Sequence, residues 1–374
     1  MPYHLLADIS GHGFGHLAQT APVLNALRYR LPELQLTIRS GLPYTLLQQH
    51  IAGHFTHIPL ASDFGLCMKN AVDVDVPASI QRYQALHAQW DTQVLAYAQA
   101  LAQIKPDLVL ANVSYLALAA AQVAQIPALA MCSLNWLDIF FSYAGTAPGL
   151  SNIRTQMVDA YNSATVFLRL TPGMPMPHFQ RLTEIGPVAR HSTPSSLQLH
   201  SKLGLAPTEK FILVAMGGIT MPLPSTWPTS PGVHWIVPGE TALQRTDMLA
   251  LESIAMSFSE LLAACDGVMT KSAYGTFVEA ALCSTPVMYV ERPDWPEEPS
   301  LVAWIKQHNC AQGISREQFE QGRFGESLMG LLQQPRKTPP SPTGIADAAS
   351  LIQEKLELCF NNDQPQHLND LRGG

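Results

Sequence analysis

At 374 residues and 47% hydrophobic content, the chain is long enough for about two globular domains, each with a core of its own. Its 22 basic residues against 29 acidic ones give a net charge of -7, and no Lys/Arg cluster follows a phosphate backbone, so nucleic acid is excluded as a partner. No apolar run approaches the ~20 residues of a spanning helix and the sequence opens without an export signal, so a cytoplasmic protein is expected, with at most peripheral contact to a membrane.

From residue 3 to about 131, short β-branched or leucine-rich runs alternate with helical patterns. The order is YHLLADI, a helix from about Leu17, LQLTIRS, a helix near 43–51, FTHIPL, one long helix, DLVLAN, another helix and IPALAM. Such alternation predicts βαβ units and a parallel sheet. The first helix carries Leu17, Ala21, Leu24, Leu27 and Leu31 on one face; the long one carries Ile80, Tyr83, His87, Trp90, Val94, Tyr97, Leu101 and Ile104. His87 lies on that apolar stripe and reads as a hydrogen-bonded core histidine. Residues 132–180 are rich in aromatics and proline, and long loops around a cleft are expected there, with one helix near 152–162.

TEIGPVARHSTPSS ends a short strand and turns polar, which divides a first domain, 1–185, from a linker, 186–196, and a second domain, 197–335. The alternation restarts with EKFILVAM, VHWIVPG, a helix near 258–264, GVMTK, a helix near 274–282, PVMYVE and a helix near 301–308. A last amphipathic helix, 345–360, presents Ala348, Leu351, Ile352, Leu356 and Cys359 on one face, and the tail 361–374 reads as disordered. The predicted fold class is α/β, with two tandem doubly wound, Rossmann-like parallel-sheet domains facing a central cleft at the carboxyl ends of their strands. Six scattered cysteines without a CxxC pair read as reduced core thiols.

SGHGFGHLAQ, residues 10–19, closes the first strand with three glycines and two histidines. A dinucleotide fingerprint fails where Gly11 and Gly13 are followed by His16 in place of the last glycine, and a phosphate P-loop fails for want of Gly-Lys-Ser/Thr. A zinc site needs a third ligand beyond His12 and His16, so no metal is expected. Two readings stay open on this segment: both histidines merely cap or satisfy the turn, or His16 is a general base, since Gly13 and Gly15 leave room for a substrate and a histidine at the start of the first helix is suited to take a proton from a hydroxyl near neutral pH.

The second domain carries ligand signals of another kind. Gly217 and Gly218 in MGGIT expose backbone N–H groups at a strand end, as phosphate-binding nests do. In KSAYGTFVEA, Lys271, Ser272, Tyr274, Gly275 and Thr276 cluster at a helix N-terminus, where amides and dipole favour an anion. Glu279 follows one turn later, placed to accept from ribose hydroxyls.

Together these segments resemble the glycosyltransferase B-fold superfamily, most of all its family 28-type members, which include the N-acetylglucosaminyltransferase that makes the peptidoglycan lipid intermediate. GHGFGH, ANVSYLALAAAQVAQIPALAMCSLNW and YGTFVEA with RPDWPEEP look closer still to the transferase-like region of plant arabinokinases. The resemblance covers about nine tenths of the chain and implies a last helix crossing back to the first domain. It further implies inverting transfer of a hexosyl or N-acetylhexosaminyl group from a nucleotide-diphosphate sugar of the uridine type, with no cofactor. His16 and Asn112 would be catalytic; Gly217, Gly218, Lys271, Ser272, Tyr274, Gly275, Thr276, Glu279, Glu297 and Glu298 would contact the donor; His12, Gly13, Gly15 and Trp136 would face a small-molecule, glycan or lipid acceptor. The sequence departs from the pattern at Asn112, where close relatives carry Asp, and at Glu297-Glu298, which replaces an Asp-Gln type pair. A sugar-nucleotide epimerase or hydrolase of the same fold, or a non-catalytic nucleotide- or sugar-binding homologue, are the alternatives.

Overall fold

In the computed structural model, which describes residues 2–362 except 191, 194, 219, 220 and 242–244, the strands form two sheets. The first consists of β1 (His4–Ile9), β2 (Gln35–Arg39), β3 (Thr56–Ile58), β4 (Leu108–Asn112), β5 (Ala128–Cys132), β6 (Val166–Leu170) and β7 (Leu182–Ile185). The second consists of β8 (Lys210–Ala215), β9 (Val233–Val237), β10 (Met248–Ala250), β11 (Gly267–Lys271), β12 (Val287–Val290) and β13 (Ala311–Ile314). Their orders are β3-β2-β1-β4-β5-β6-β7 and β10-β9-β8-β11-β12-β13, with parallel pairing throughout, the doubly wound arrangement that the alternation predicts. Central strands such as LVLAN and ALAMC are buried at every position, as strands covered by helices on both faces must be.

Strand order reverses between β1 and β4 in the first sheet and between β8 and β11 in the second, and ligands of such sheets bind where this happens. The register pairs Ile9 with Asn112 and Ala215 with Thr270. Asn112 therefore stands beside the loop that follows Ile9, and Lys271 beside the Gly217-Gly218 turn.

Three expectations are corrected. The single long helix is two, Val76–Ala88 and Trp90–Ile104, broken where Gln89 leaves helical geometry at φ -115° and ψ 20°. The break lets Trp90 stack on His87 at 5.0 Å, and His87 is a satisfied core histidine, bonded to Gln156 Oε1 at 2.7 Å and to the Tyr115 hydroxyl at 3.0 Å. Residues 132–180 are more regular than expected, because Asn135 caps a helix, Trp136–Ala144, by accepting from the Asp138 N–H at 2.8 Å. Asn361 and Asn362 belong to the last helix, Gly344–Asn362; residues 363–374 lie outside the described residues.

That last helix buries Ala348, Ala349, Ile352 and Leu356 in one cluster with Leu17, Leu24 and Leu27 of the helix Gly15–Arg30. Arg30 Nη1 donates to Ser350 Oγ at 2.7 Å, and the Gly344 N–H to Pro187 O at 3.1 Å. Among the described residues no helix is long and apolar enough to cross a membrane.

Candidate active site

The loop after β1 and the start of the helix Gly15–Arg30 form the first wall of the site. Gly13 adopts φ +78°, a conformation that side chains resist, and a Cβ at Gly13 or Gly15 would meet nothing within 4 Å, so both glycines border open space. The helix has no side-chain cap at Phe14, which leaves its first amides free.

His16 is 5% exposed. Its Nδ1–H donates to Asn112 Oδ1 at 2.8 Å. The orientation of Asn112 follows from its other end, where Nδ2 donates to Thr20 Oγ1 at 2.9 Å and Gln19 Oε1 at 3.2 Å. Thr20 Oγ1 itself donates to His16 O at 2.8 Å, so only the carbonyl oxygen of Asn112 is left for the imidazole. This holds His16 in the tautomer whose Nε2 carries the lone pair. Burial pulls His16 down to about 4, against the upward effect of the Asn112 bond, so the ring is neutral at pH 7 and a weak base.

His12 donates from Nδ1 to Phe64 O at 3.2 Å and meets Trp136 edge-on at 5.0 Å. Burial and the neighbouring His16 and Lys271 hold it near 3. Trp136 is fully buried and donates from Nε1 to Asp63 Oδ2 at 3.1 Å, while Ser10 Oγ donates to Asp63 Oδ1 at 2.6 Å. Burial pushes the Asp63 carboxyl up to about 7. Gly65, at φ +63°, lies so close to His12 and Trp136 that a Cβ would come within 2.6 Å of the imidazole. Asp63 and Gly65 were not among the sequence candidates, and the Asp-Phe-Gly triplet after β3 carries no local signal for them.

The second wall comes from the other domain. Gly217 sits at φ +91° with Lys271 against it, and Gly218 packs under the ring of Phe14, which reaches across from the first loop. Lys271 donates to Ala71 O at 2.8 Å; burial and the Arg292 charge lower it to about 8, so it stays mainly protonated at neutral pH. The helix Tyr274–Leu282 also begins without a side-chain cap, Gly275 and Thr276 are partly exposed at its first turn, and a Cβ on Gly275 would stand 4.0 Å from Ala18. Two uncapped helix N-termini thus approach one another, a positive environment for an anion. Glu279 is 8% exposed, and its Oε2 is buried without a hydrogen-bond partner; burial raises the carboxyl to about 7, and Arg190 acts in the opposite sense.

Four of the residues expected at the donor are occupied by the protein itself. Ser272 Oγ bonds Glu298, whose carboxylate also accepts the Arg292 N–H at 2.7 Å. The Tyr274 hydroxyl accepts the Val188 N–H at 2.9 Å and donates to Thr171 O at 3.3 Å, which ties the second domain to the linker and the first. Glu297 accepts from Ser133 Oγ at 2.6 Å and from Trp295 Nε1 at 3.2 Å. Gln19 Nε2 donates to Ser133 Oγ at 2.9 Å, so a buried hydrogen-bond chain runs from His16 through Asn112, Gln19 and Ser133 to Glu297 in the other domain. Glu297 thus bonds across to the first domain, while Glu298 is held within the second by Ser272 and the Arg292 N–H. Among the described residues no group of three His, Cys, Asp or Glu side chains is placed to bind a metal ion.

In comparison with solved structures, 94–97% of the chain matches glycosyltransferases. The calicheamicin glycosyltransferase CalG4 matches with a TM-score of 0.62 at 15% identity, over 96% of this chain and 99% of that one. The fold is the glycosyltransferase B fold. MurG of Acinetobacter baumannii has it too, with a TM-score of 0.54 at 14% identity, over 94% of this chain and all of that one. In sequence, L-arabinokinase of Arabidopsis thaliana is 25% identical over 327 residues, 84% of this chain but 31% of the plant protein, so the chain spans less than a third of that relative's length. No protein-family model matches.

Proposed function

We propose that this B-fold chain is an inverting glycosyltransferase using a uridine-type nucleotide-diphosphate sugar, cytoplasmic and independent of a metal or further cofactor. One observation carries it: the loop bearing His16, with Nε2 unprotonated, meets across the cleft an anion cradle made of Gly217, Gly218, Lys271 and the uncapped helix start at Gly275 and Thr276. In the proposed reaction Nε2 takes the proton of an acceptor hydroxyl and the oxygen bonds the anomeric carbon. The bond from that carbon to the diphosphate breaks with its electron pair leaving on the nucleotide, where the cradle meets the developing charge. Titration calorimetry with uridine, guanosine, thymidine and adenosine diphosphates tests it. Binding of the uridine nucleotide is expected, and heat from none of the four would sink the proposal.

The orphaned Oε2 of Glu279 suits ribose hydroxyls. Ionised Glu279 accepts two hydrogen bonds, so uridine diphosphate affinity should fall as pH drops below about 7. Glu279→Gln should bind about tenfold more weakly at pH 8 and lose that pH dependence, as calorimetry at several pH values would reveal. Stability has its own sign: the folded carboxyl at about 7 exceeds its ordinary 4.5, so its contribution is complete below 4.5 and lost as pH rises through 7.

A second reading, a nucleotide-sugar-binding protein without transfer, is favoured by neutral Asn112, which orients the imidazole but gives no electrostatic support to the imidazolium. Asn112→Asp should therefore raise the His16 pKa above its present value of about 4, measurable by NMR titration of labelled histidine. It should also cost about 1–3 kcal/mol, because Gln19 Oε1 and Thr20 Oγ1 would lose the Asn112 donor and face a carboxylate. Turnover that rises in this variant supports a transferase with a weak base; donor consumed without an acceptor points to hydrolysis or epimerisation.

A further inference from the structure

Arg292 stands two residues past the end of β12, 3% exposed, with its guanidinium 4.2 Å over the Trp295 ring. Its Nε is buried without a hydrogen-bond partner, and among the described residues the guanidinium makes no ion pair within 4 Å. Other enclosed arginines of this chain are paired: Arg245 reaches Asp247, Trp227 O and Thr229, and Arg39 reaches Ser62 and lies 3.7 Å from Asp8. The acids around Arg292 are directed elsewhere. Asp294 accepts from the Tyr143 hydroxyl at 3.2 Å, Glu297 from Ser133 and Trp295, and Glu298 from Ser272 and the backbone. A buried guanidinium left in this way fits a planar anion supplied by a ligand.

Its position says which part of a ligand. The diphosphate cradle lies at the β8/β11 switch point, and β12 is the next strand outward, about 4.8 Å further along the sheet. A sugar nucleotide's diphosphate is flanked by its ribose, which the proposed function gives to Glu279, and by the sugar, which is left for the side of Arg292. Asp294, Glu297 and Glu298 all act on Arg292, and they repel a dianionic diphosphate more than a singly charged carboxylate. Towards the first domain, the Arg292 charge helps to depress His12 and Lys271, so this corner of the cleft carries positive potential.

Resting on the proposed transferase function, we propose that Arg292 recognises a carboxylate on the transferred sugar, and that the donor is a nucleotide-diphosphate uronic acid. The guanidinium edge at Nε and a terminal nitrogen takes the two carboxylate oxygens, while the cradle around Gly217 and Lys271 takes the diphosphate.

Calorimetry on the full chain with uridine diphosphate, its glucose conjugate and its glucuronic acid conjugate tests this. The glucuronate should bind at least about tenfold tighter than the glucose conjugate, the effect of hydrogen bonds to a charged group. Arg292→Lys and Arg292→Gln should bring that ratio to about twofold or less while binding uridine diphosphate as the parent does. Equal affinity for the two conjugates in the parent chain overturns the assignment without needing either variant to fold. Loss of uridine diphosphate affinity in Arg292→Lys also overturns it and moves Arg292 to the diphosphate. In both cases the transferase function stands; binding of none of the three removes that function and this inference together.

Discussion

His16→Ala should lower the rate of nucleotide release from donor and acceptor by about 10²–10⁴-fold, the range for loss of a positioned general base, while leaving uridine diphosphate affinity unchanged. The two readouts separate because His16 belongs to the first domain and the cradle to the second. The variant also strands Asn112 Oδ1 in a buried site, at a cost of about 1–3 kcal/mol. Circular dichroism and the preserved nucleotide affinity then show that lost turnover is not lost folding. His12→Ala is the control: His12 bonds a backbone carbonyl and supports Trp136, so it should have the smaller effect on rate. Equal losses in the two variants would remove His16 from its role as base.

Gly344→Ala should be the most destabilising small substitution at the domain junction. Its Cβ would come within 2.0 Å of Gly186 O and 2.7 Å of Val188 Cγ2, and a Cβ on Gly186 would come within 2.0 Å of Thr343 Oγ1. At Gly344 the nearest atom is the backbone oxygen of Gly186, which cannot rotate away as a side chain can. Separation would break the Gly344 N–H bond to Pro187 O and the Gly186 N–H bond to Asp347 Oδ2 at 3.2 Å. A loss of about 3 kcal/mol or more follows, together with release of Ala348, Ala349, Ile352 and Leu356 from the first helix. The urea midpoint should fall and protease cleavage near 335–344 should accelerate; a parental midpoint and cleavage rate would refute the argument.

How much of this was legible beforehand depended on range. Periods of two and 3.6 residues exposed the strands and most helices, and the alternation of the two exposed the parallel sheets. Gln89 broke the long helix without a proline or glycine to announce it, in a place where stacking of His87, Trp90 and Tyr115 favours the change of direction. Asp63 sits in an ordinary Asp-Phe-Gly triplet, and only burial beside Ser10 and Trp136 makes its carboxyl unusual. Arg292 was passed over for the acids beside it in RPDWPEEP, because which of these charges finds a protein partner is not written in their order.

By itself the sequence determined the class of each domain and the two loops on which the proposed site is built, SGHGFGHLAQ and KSAYGTFVEA, since turn glycines, helix starts and apolar periodicity act over a few residues. Only the tertiary structure decided what their side chains do. The Lys271 bond to Ala71 spans 200 residues and the Ser133 bond to Glu297 spans 164, and such pairings arise only once both sheets are assembled and face each other. The same long-range packing left Glu279 Oε2 and Arg292 Nε buried without partners. Desolvation made those two atoms the ones that a ligand would satisfy.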